Sequence, residues 1–413
     1  MTKIDLITIG KMNITWTLGE LLHAPNSLEG ISMVLESQAG KTLADYLLIW
    51  DSKLGIPDPE IILKISQQPF DVCHAGIKLG TSGKPYFMDF VDPTGMLQVD
   101  PSIGQEASNW RLALRACLIR TKVVKKLGGP DINYKTLTGS GLDLGYRYYR
   151  QGVFIRYTPK LLNSTEYDIR TVNIPLEDEL RFILTYFGKK WMFWSIIRAL
   201  FTKQSLPRLI PVLLKLLKNY KQRPKIFYQR TSCVQKDAIS DWQNKVTVLI
   251  PTLERYSYLR TELDQLRSQT ITPKEILIMD QTDESIRDND IKRDYPDLPI
   301  KIFKQNKTGQ CTGWNKGLLE STGDYILFLG DDADEIPTDF IEQFLQTLTC
   351  CKADMVACKV DEVGTEHMPK RHDHLRLADT FPISMVRREL LQRSGLMDYA
   401  YDHGPRADMD LGI

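Results

Sequence analysis

One short acidic run carries the most evident chemistry in this sequence. In GDDADEIP, the carboxylates Asp331, Asp332 and Asp334 follow directly on the apolar run DYILFLG. Adjacent carboxylates on a loop repel one another unless a cation or a solvated donor offsets their charge. Oxygen ligands of this kind suit Mg2+ or Mn2+, which are held by one or two carboxylates and take further ligands from a diphosphate. The same residues also read as an acidic turn ahead of a helix starting near Thr338, because acids favour helix N-termini. Three histidines, His367, His372 and His374, cluster between Lys359 and Ala378. No further residue there has the spacing of a closed zinc site, so a solvated loop is the simpler reading.

The elements that must position the acidic run are legible around it. KVTVLIPT, beginning at Lys245, is a β-branched run ending in Pro and Thr, and RYSYLRTELDQLRSQ has apolar residues at helical spacing. EILIMD then reads as a buried strand closed by Asp280, LPIKIFKQN as a strand, GWNKGLLESTG as a short helix and DYILFLG as a third strong strand. Alternating strand and helix predicts an α/β domain with a largely parallel sheet. Ligands bind such sheets at the carboxyl ends of the strands, which here carry Thr252, Asp280 and the run Asp331, Asp332 and Asp334.

Four segments in this order, VTVLIPTLER, EILIMDQT, GWNKGLLESTGDYILFLGDDADEIP and GLMDYAYDHGPRADMDLG, resemble the inverting GT-A glycosyltransferases of family 2. The resemblance covers nearly all of Lys245 to Ile413. It implies that Pro251, Thr252 and Glu254 line a nucleotide pocket and that Asp280 contacts the base. It also implies that Asp331 sits near the ribose and that Asp332 binds the metal holding the donor diphosphate. The family's first acidic position in that loop is Gly330 here, which leaves Asp334 as an alternative metal ligand. Asp408 matches the family's catalytic base, which takes the proton of the acceptor hydroxyl as it attacks the anomeric carbon. An acid at a helix start is the plainer reading of Asp408, and capping is the plainer reading of Asp410 and, with it, a structural role for His403. The acid that often precedes the base is Ala407. Family members continue beyond this motif, so the expectation is a fragment of a longer protein or an incomplete C-terminal site.

The first part of the chain repeats the second. IRTKVVKKLGGPDINYKTLTGSGLDLG, from Ile119, aligns without a gap on VRRELLQRSGLMDYAYDHGPRADMDLG, from Val386, and ADYLLIWDSKLGIP resembles GDYILFLGDDADEIP. Gly141 falls opposite Asp408 and Lys53 opposite Asp332, so a second, GT-A-like module without base or metal carboxylate is expected. Asp51 and Asp143 there read as structural acids.

Between the copies lies a segment that the whole-chain charge conceals. The 413 residues carry 53 basic and 52 acidic side chains, for a net charge of +1, which argues against a dedicated nucleic-acid binder. Yet Leu180 to Lys236 contains no Asp or Glu. KKWMFWSIIRALFTK and LPRLIPVLLKLLKNYKQRPK read as two short basic, apolar helices separated by Pro207 and Pro211. Trp191, Phe193, Trp194 and the neighbouring lysines suit an anionic membrane surface. An amphipathic connector between domains is the alternative. No apolar run reaches membrane-spanning length, no signal-peptide layout is present, and seven cysteines, Cys350 and Cys351 adjacent and the rest scattered without metal-ligand spacing, suit free thiols in a reducing cytosol.

The expected architecture is therefore α/β, with two GT-A-like modules joined by a basic helical segment. Residues 1–163 form a degenerate module, 164–244 the linker and 245–413 the catalytic module. The expected activity is metal-dependent, inverting transfer of a sugar from a nucleotide donor, UDP by family frequency, to a polysaccharide or glycolipid hydroxyl. The expected location is the cytoplasm, peripheral on the inner membrane face. A non-catalytic scaffold that binds sugar or nucleotide is the alternative, and a nucleotidyltransferase ranks third.

Overall fold

The computed structural model describes residues 2–76, 78–79, 106–162, 171–172, 174–201, 239–358 and 383–402, with the single helical residues 211, 214 and 216. These fall into two compact units, one before and one after residue 230.

The first unit is built on a seven-stranded sheet. Its elements in chain order are β1 (Ile4–Ile9), β2 (Leu21–Ala24), α1 (Leu28–Lys41), β3 (Tyr46–Asp51), α2 (Pro59–Ser66), β4 (Val72–His74), β5 (Lys78–Leu79), β6 (Ala107–Ser108), β7 (Ala116–Arg120), α3 (Thr121–Leu127), α4 (Leu137–Arg150), β8 (Ile155–Tyr157), β9 (Thr171–Val172) and α5 (Leu176–Phe201). The sheet order is β2-β1-β3-β7-β4-β8-β6, and β5 and β9 pair separately. β1 and β3 are buried on both faces, as their unbroken runs IDLITI and YLLIWD require.

KKWMFWSIIRALF is helical, as its sequence reading expects; within α5 it follows the helix LEDELRFILTYF, and the two meet at Gly188, whose φ of 84° is not helical. The first half belongs to the core of the first unit. Phe182 stacks on Trp110 at 5.7 Å and Tyr186 donates to Asp143 at 2.9 Å. Asp178 accepts the Lys135 and Thr136 amides at the start of α4. The second half buries Met192 and Ile196 against Leu180, Ile183 and Leu184. Most of the second expected helix lies outside the described residues.

The second unit runs α6 (Ile239–Trp242), β10 (Val246–Thr252), α7 (Tyr256–Arg267), β11 (Glu275–Asp280), α8 (Ile291–Asp294), β12 (Ile300–Lys304), α9 (Gln310–Glu320), β13 (Tyr325–Phe328), α10 (Phe340–Cys351), β14 (Met355–Ala357), β15 (Ser384–Arg387) and α11 (Arg388–Ser394). Its sheet has the order β12-β11-β10-β13-β15-β14, with four parallel strands and an antiparallel margin. The expected strands and helices from Lys245 onward form as read. The expected helix near Thr338 begins at Phe340.

The two units share one corner in detail. Tyr46 pairs with Arg120 across β3 and β7, and Tyr325 pairs with Arg387 across β13 and β15. Each arginine lies over its tyrosine ring, at 4.8 and 5.4 Å. The Asp45 and Asp324 amides donate to Lys3 and Lys245 carbonyls, both at 2.8 Å, and the Asp45 and Asp324 carbonyls accept from the Thr121 and Arg388 amides. The helix that follows closes on a glycine of positive φ in both copies, Gly128 and Gly395. Both units are therefore GT-A-like. Among the described residues, the first has no helix between its first two strands and no counterpart of β12.

Candidate active site

β10 and β13 are adjacent, parallel and in register from Val246↔Tyr325 to Leu249↔Phe328, so their carboxyl ends open side by side. A cavity of about 440 Å³ lies there, bordered by Pro251, Thr252, Arg255, Gln281, Asp331 and Asp332 among others. Thr252 donates through its hydroxyl to Asp331 at 2.8 Å, tying the two strand ends together. Burial raises the Asp331 carboxyl above its ordinary range, against the opposing pull of that bond and of Arg255. Asp332 is different: 60% of its side chain faces solvent.

Glu254 has φ 59°, a left-handed conformation for a residue with a Cβ, and its amide donates to Thr282 Oγ1 at 2.9 Å. The turn carries the next residue, Arg255, over the acidic pair. Its Nη1 lies 2.8 Å from Asp332 and 3.2 Å from Asp331.

On the other side, the amide of Gly309 donates to Gln281 Oε1 at 3.0 Å and its carbonyl accepts from Gln281 Nε2 at 2.9 Å. Asp402 closes the N-terminus of α9, accepting the Thr312 amide at 2.7 Å and hydroxyl at 2.6 Å. Only glycine fits at 309, because a Cβ there would meet the Asp402 carboxyl at 2.4 Å. Desolvation would raise the Asp402 carboxyl, but the Thr312 bonds and the Lys307 ammonium outweigh it and hold the pKa low. A carboxylate so engaged is a weak proton acceptor and serves to anchor the chain at the cleft.

Of the expected site residues, Pro251, Thr252, Asp331 and Asp332 meet at this cavity. Glu254 contributes its turn. Asp280 is buried behind the lining, accepting Tyr256 Oη at 2.9 Å and the Thr282 amide at 3.0 Å, with Arg287 at 3.4 Å. Asp334 is exposed and accepts the Glu335 amide at 2.9 Å, outside the lining. Asp408, Asp410, His403 and the three clustered histidines lie outside the described residues. Arg255, Gln281 and Asp402 were not singled out from sequence, although Arg255 stands inside the motif VTVLIPTLER. Among the described residues no group of three or more metal-ligating side chains forms. Asp332 with Asp331 still fits a hard cation that takes its remaining ligands from a diphosphate and water.

In the first unit the corresponding residues are engaged within the fold. Asp51 caps the turn after β3, binds Arg115 and accepts the Lys53 amide. Asp143 accepts Tyr134 Oη at 3.0 Å and is fully buried. Gly141, opposite Asp408 in the alignment, packs so tightly that a Cβ would lie 2.7 Å from the Leu112 carbonyl.

A parallel four-stranded core with an antiparallel margin and an acidic pair behind its central strand defines a GT-A type of nucleotide-sugar fold. Residues 247–407 match the model of glycosyl transferase family 2. The chain is 34% identical over 89 residues to the glycosyltransferase YwdF of Bacillus subtilis, covering 21% of this chain and 32% of that protein. It is 28% identical over 116 residues to glycosyltransferase GlyA of Streptococcus pneumoniae, covering 27% and 16%. The chain thus spans a third or less of the length of these relatives. Among solved structures, S. aureus TarS 1-349 in complex with UDP is similar at 19% identity and a TM-score of 0.34, over 40% of this chain and 53% of that one.

Proposed function

We propose that the second unit transfers a sugar from a nucleotide-diphosphate donor, UDP-linked by family frequency, to a hydroxyl of a polysaccharide or glycolipid, with inversion at the anomeric carbon. The observation that supports this best is the convergence of Pro251, Thr252, Asp331 and Asp332 on one cavity at the strand ends of a family 2 domain. Thr252 and Asp331 form the wall beside the ribose, and Asp332, with Asp331 next to it, would hold Mg2+ or Mn2+. When bound, that cation stabilises negative charge on the departing nucleoside diphosphate. Asp402 brings the chain to the cleft six residues before Asp408, to which we assign removal of the acceptor proton. The first unit, lacking both carboxylates, positions an acceptor or a partner rather than performing transfer.

Calorimetry with UDP and Mn2+ tests the donor site. Metal-dependent binding that Asp332→Ala abolishes is expected; binding unchanged by that substitution refutes the site. Asp408→Asn should retain donor binding and lose transfer, and retained turnover excludes it as the base. A scaffold without catalysis would bind nucleotide yet turn over no donor.

We also assign the second half of α5 to an anionic membrane surface on the cytoplasmic side. Trp191, Phe193 and Trp194 are 47, 66 and 51% exposed, beside exposed Lys189 and Lys190. Among the described residues no helix is long and apolar enough to cross a membrane.

A further inference from the structure

The acidic pair at the cleft is already bridged by a cation from within. Arg255 bridges Asp331 and Asp332, and it is the one basic side chain among the described residues that border the cavity. Three carboxylates, Asp331, Asp332 and Asp402, border the same space. Asp402 is paired with Lys307, outside the lining, at 3.5 Å, and a diphosphate approaching this border meets one lining guanidinium that two carboxylates already hold. A divalent cation approaching Asp332 meets a guanidinium on the oxygens it needs. Each ligand alone is disfavoured, and together they balance: the cation would take the carboxylates while the freed guanidinium faces the diphosphate.

We propose that Arg255 is a resident cation that gives up the Asp331–Asp332 pair to the divalent metal and turns to the incoming diphosphate, so that metal and nucleotide bind cooperatively. This rests on reading the cleft as the donor site. The geometry permits the exchange. Arg255 stands immediately before α7, its side chain is 52% exposed, and its partner Asp332 is 60% exposed, so the ion pair is solvated and inexpensive to break. A planar guanidinium binds carboxylate and phosphate oxygens with the same fork, which makes it able to serve either state. The coupling is reciprocal, so whatever nucleotide does for metal affinity, metal does for nucleotide affinity.

The test is Mn2+ titration followed by electron paramagnetic resonance, with the unaltered protein, Arg255→Gln and Arg255→Ala, each without nucleotide and with UDP or GDP. Both variants should bind Mn2+ alone roughly fivefold tighter than the unaltered protein, the scale of one exposed ion pair. Both should also gain less Mn2+ affinity from nucleotide. If nucleotide promotes Mn2+ uptake by the unaltered protein but neither variant binds Mn2+ alone more tightly, the exchange is overturned and the donor site stands. If no protein binds Mn2+ with either nucleotide, the donor-site reading fails and the exchange with it.

Discussion

Glu262 should be the most costly side chain in the second unit, and removing its carboxyl should stabilise the protein. It lies on α7 in the stripe that faces the acidic loop: Arg255 reaches Asp331 and Asp332, Gln265 accepts the Ile336 amide, and Gln269 binds Pro337 and Ile341. Between these contacts Glu262 is fully buried, and neither carboxyl oxygen has a hydrogen-bond partner among the described residues. An unsatisfied buried polar group costs about 1–3 kcal/mol. Glu262→Met keeps an unbranched chain of similar reach and good helix propensity, so it should recover about 2 kcal/mol at pH 7, or roughly 4–8 °C in the melting of a domain this size. The pH dependence supplies a sharper check. Burial, and then the charges of Asp331 and Asp332, raise the Glu262 carboxyl well above its ordinary value of 4.5. The folded state therefore keeps a proton that the unfolded state releases, and stability falls as pH rises from about 4.5 toward the folded value. The methionine variant lacks this slope, so its advantage should widen between pH 5 and pH 8 in melts recorded by near-UV circular dichroism. A variant less stable at pH 7, or an advantage that is flat with pH, would refute the reasoning.

Glu275 is the opposite case. Desolvation raises its carboxyl, but Lys301, Thr247 and Thr322 outweigh this and bring it down to about 2. Its contribution is complete above pH 4.5 and lost as pH falls toward 2, so Glu275→Gln should cost about 2 kcal/mol at neutral pH and flatten the acid limb of the stability profile. Gly145→Ala would set a Cβ 2.0 Å from the Trp110 carbonyl; a loss of about 3 kcal/mol is expected in urea unfolding of the first unit. Gly141→Asp, which restores the aligned acid, should unfold that unit more readily and add no transfer activity. Co-sedimentation with phosphatidylglycerol vesicles should fall when Trp191, Phe193 and Trp194 become Ser, and binding indifferent to this change would remove the membrane assignment.

The strands around the cleft were legible because KVTVLIPT, EILIMD and DYILFLG are buried on both faces and therefore read as unbroken apolar runs. The repeated Asp-Tyr corner was legible because it uses the same residue types twice. What escaped was set by contacts remote in sequence. Arg255 meets Asp332 across 77 positions, and Asp402 meets Thr312 across 90. Glu262 looks like an ordinary polar position in an amphipathic helix, and nothing in TELDQL reveals that its side chain turns inward. The helix after Gly188 was legible because a glycine between aromatic and basic residues reads as a boundary, and its φ of 84° makes it one.

The shared corner has a consequence for how the chain acquires its fold. Strand Tyr46–Asp51 is built to lie against a strand ending in Arg120, and strand Tyr325–Phe328 against one ending in Arg387, with tyrosine opposite arginine in both. Either central strand could therefore accept the wrong copy's partner for several residues before side chains objected. Synthesis from the N-terminus removes the ambiguity in time, since the first unit can close before Arg387 has been made. Refolding the whole chain from denaturant offers no such order, and crossed pairing between the two copies is the error it would invite.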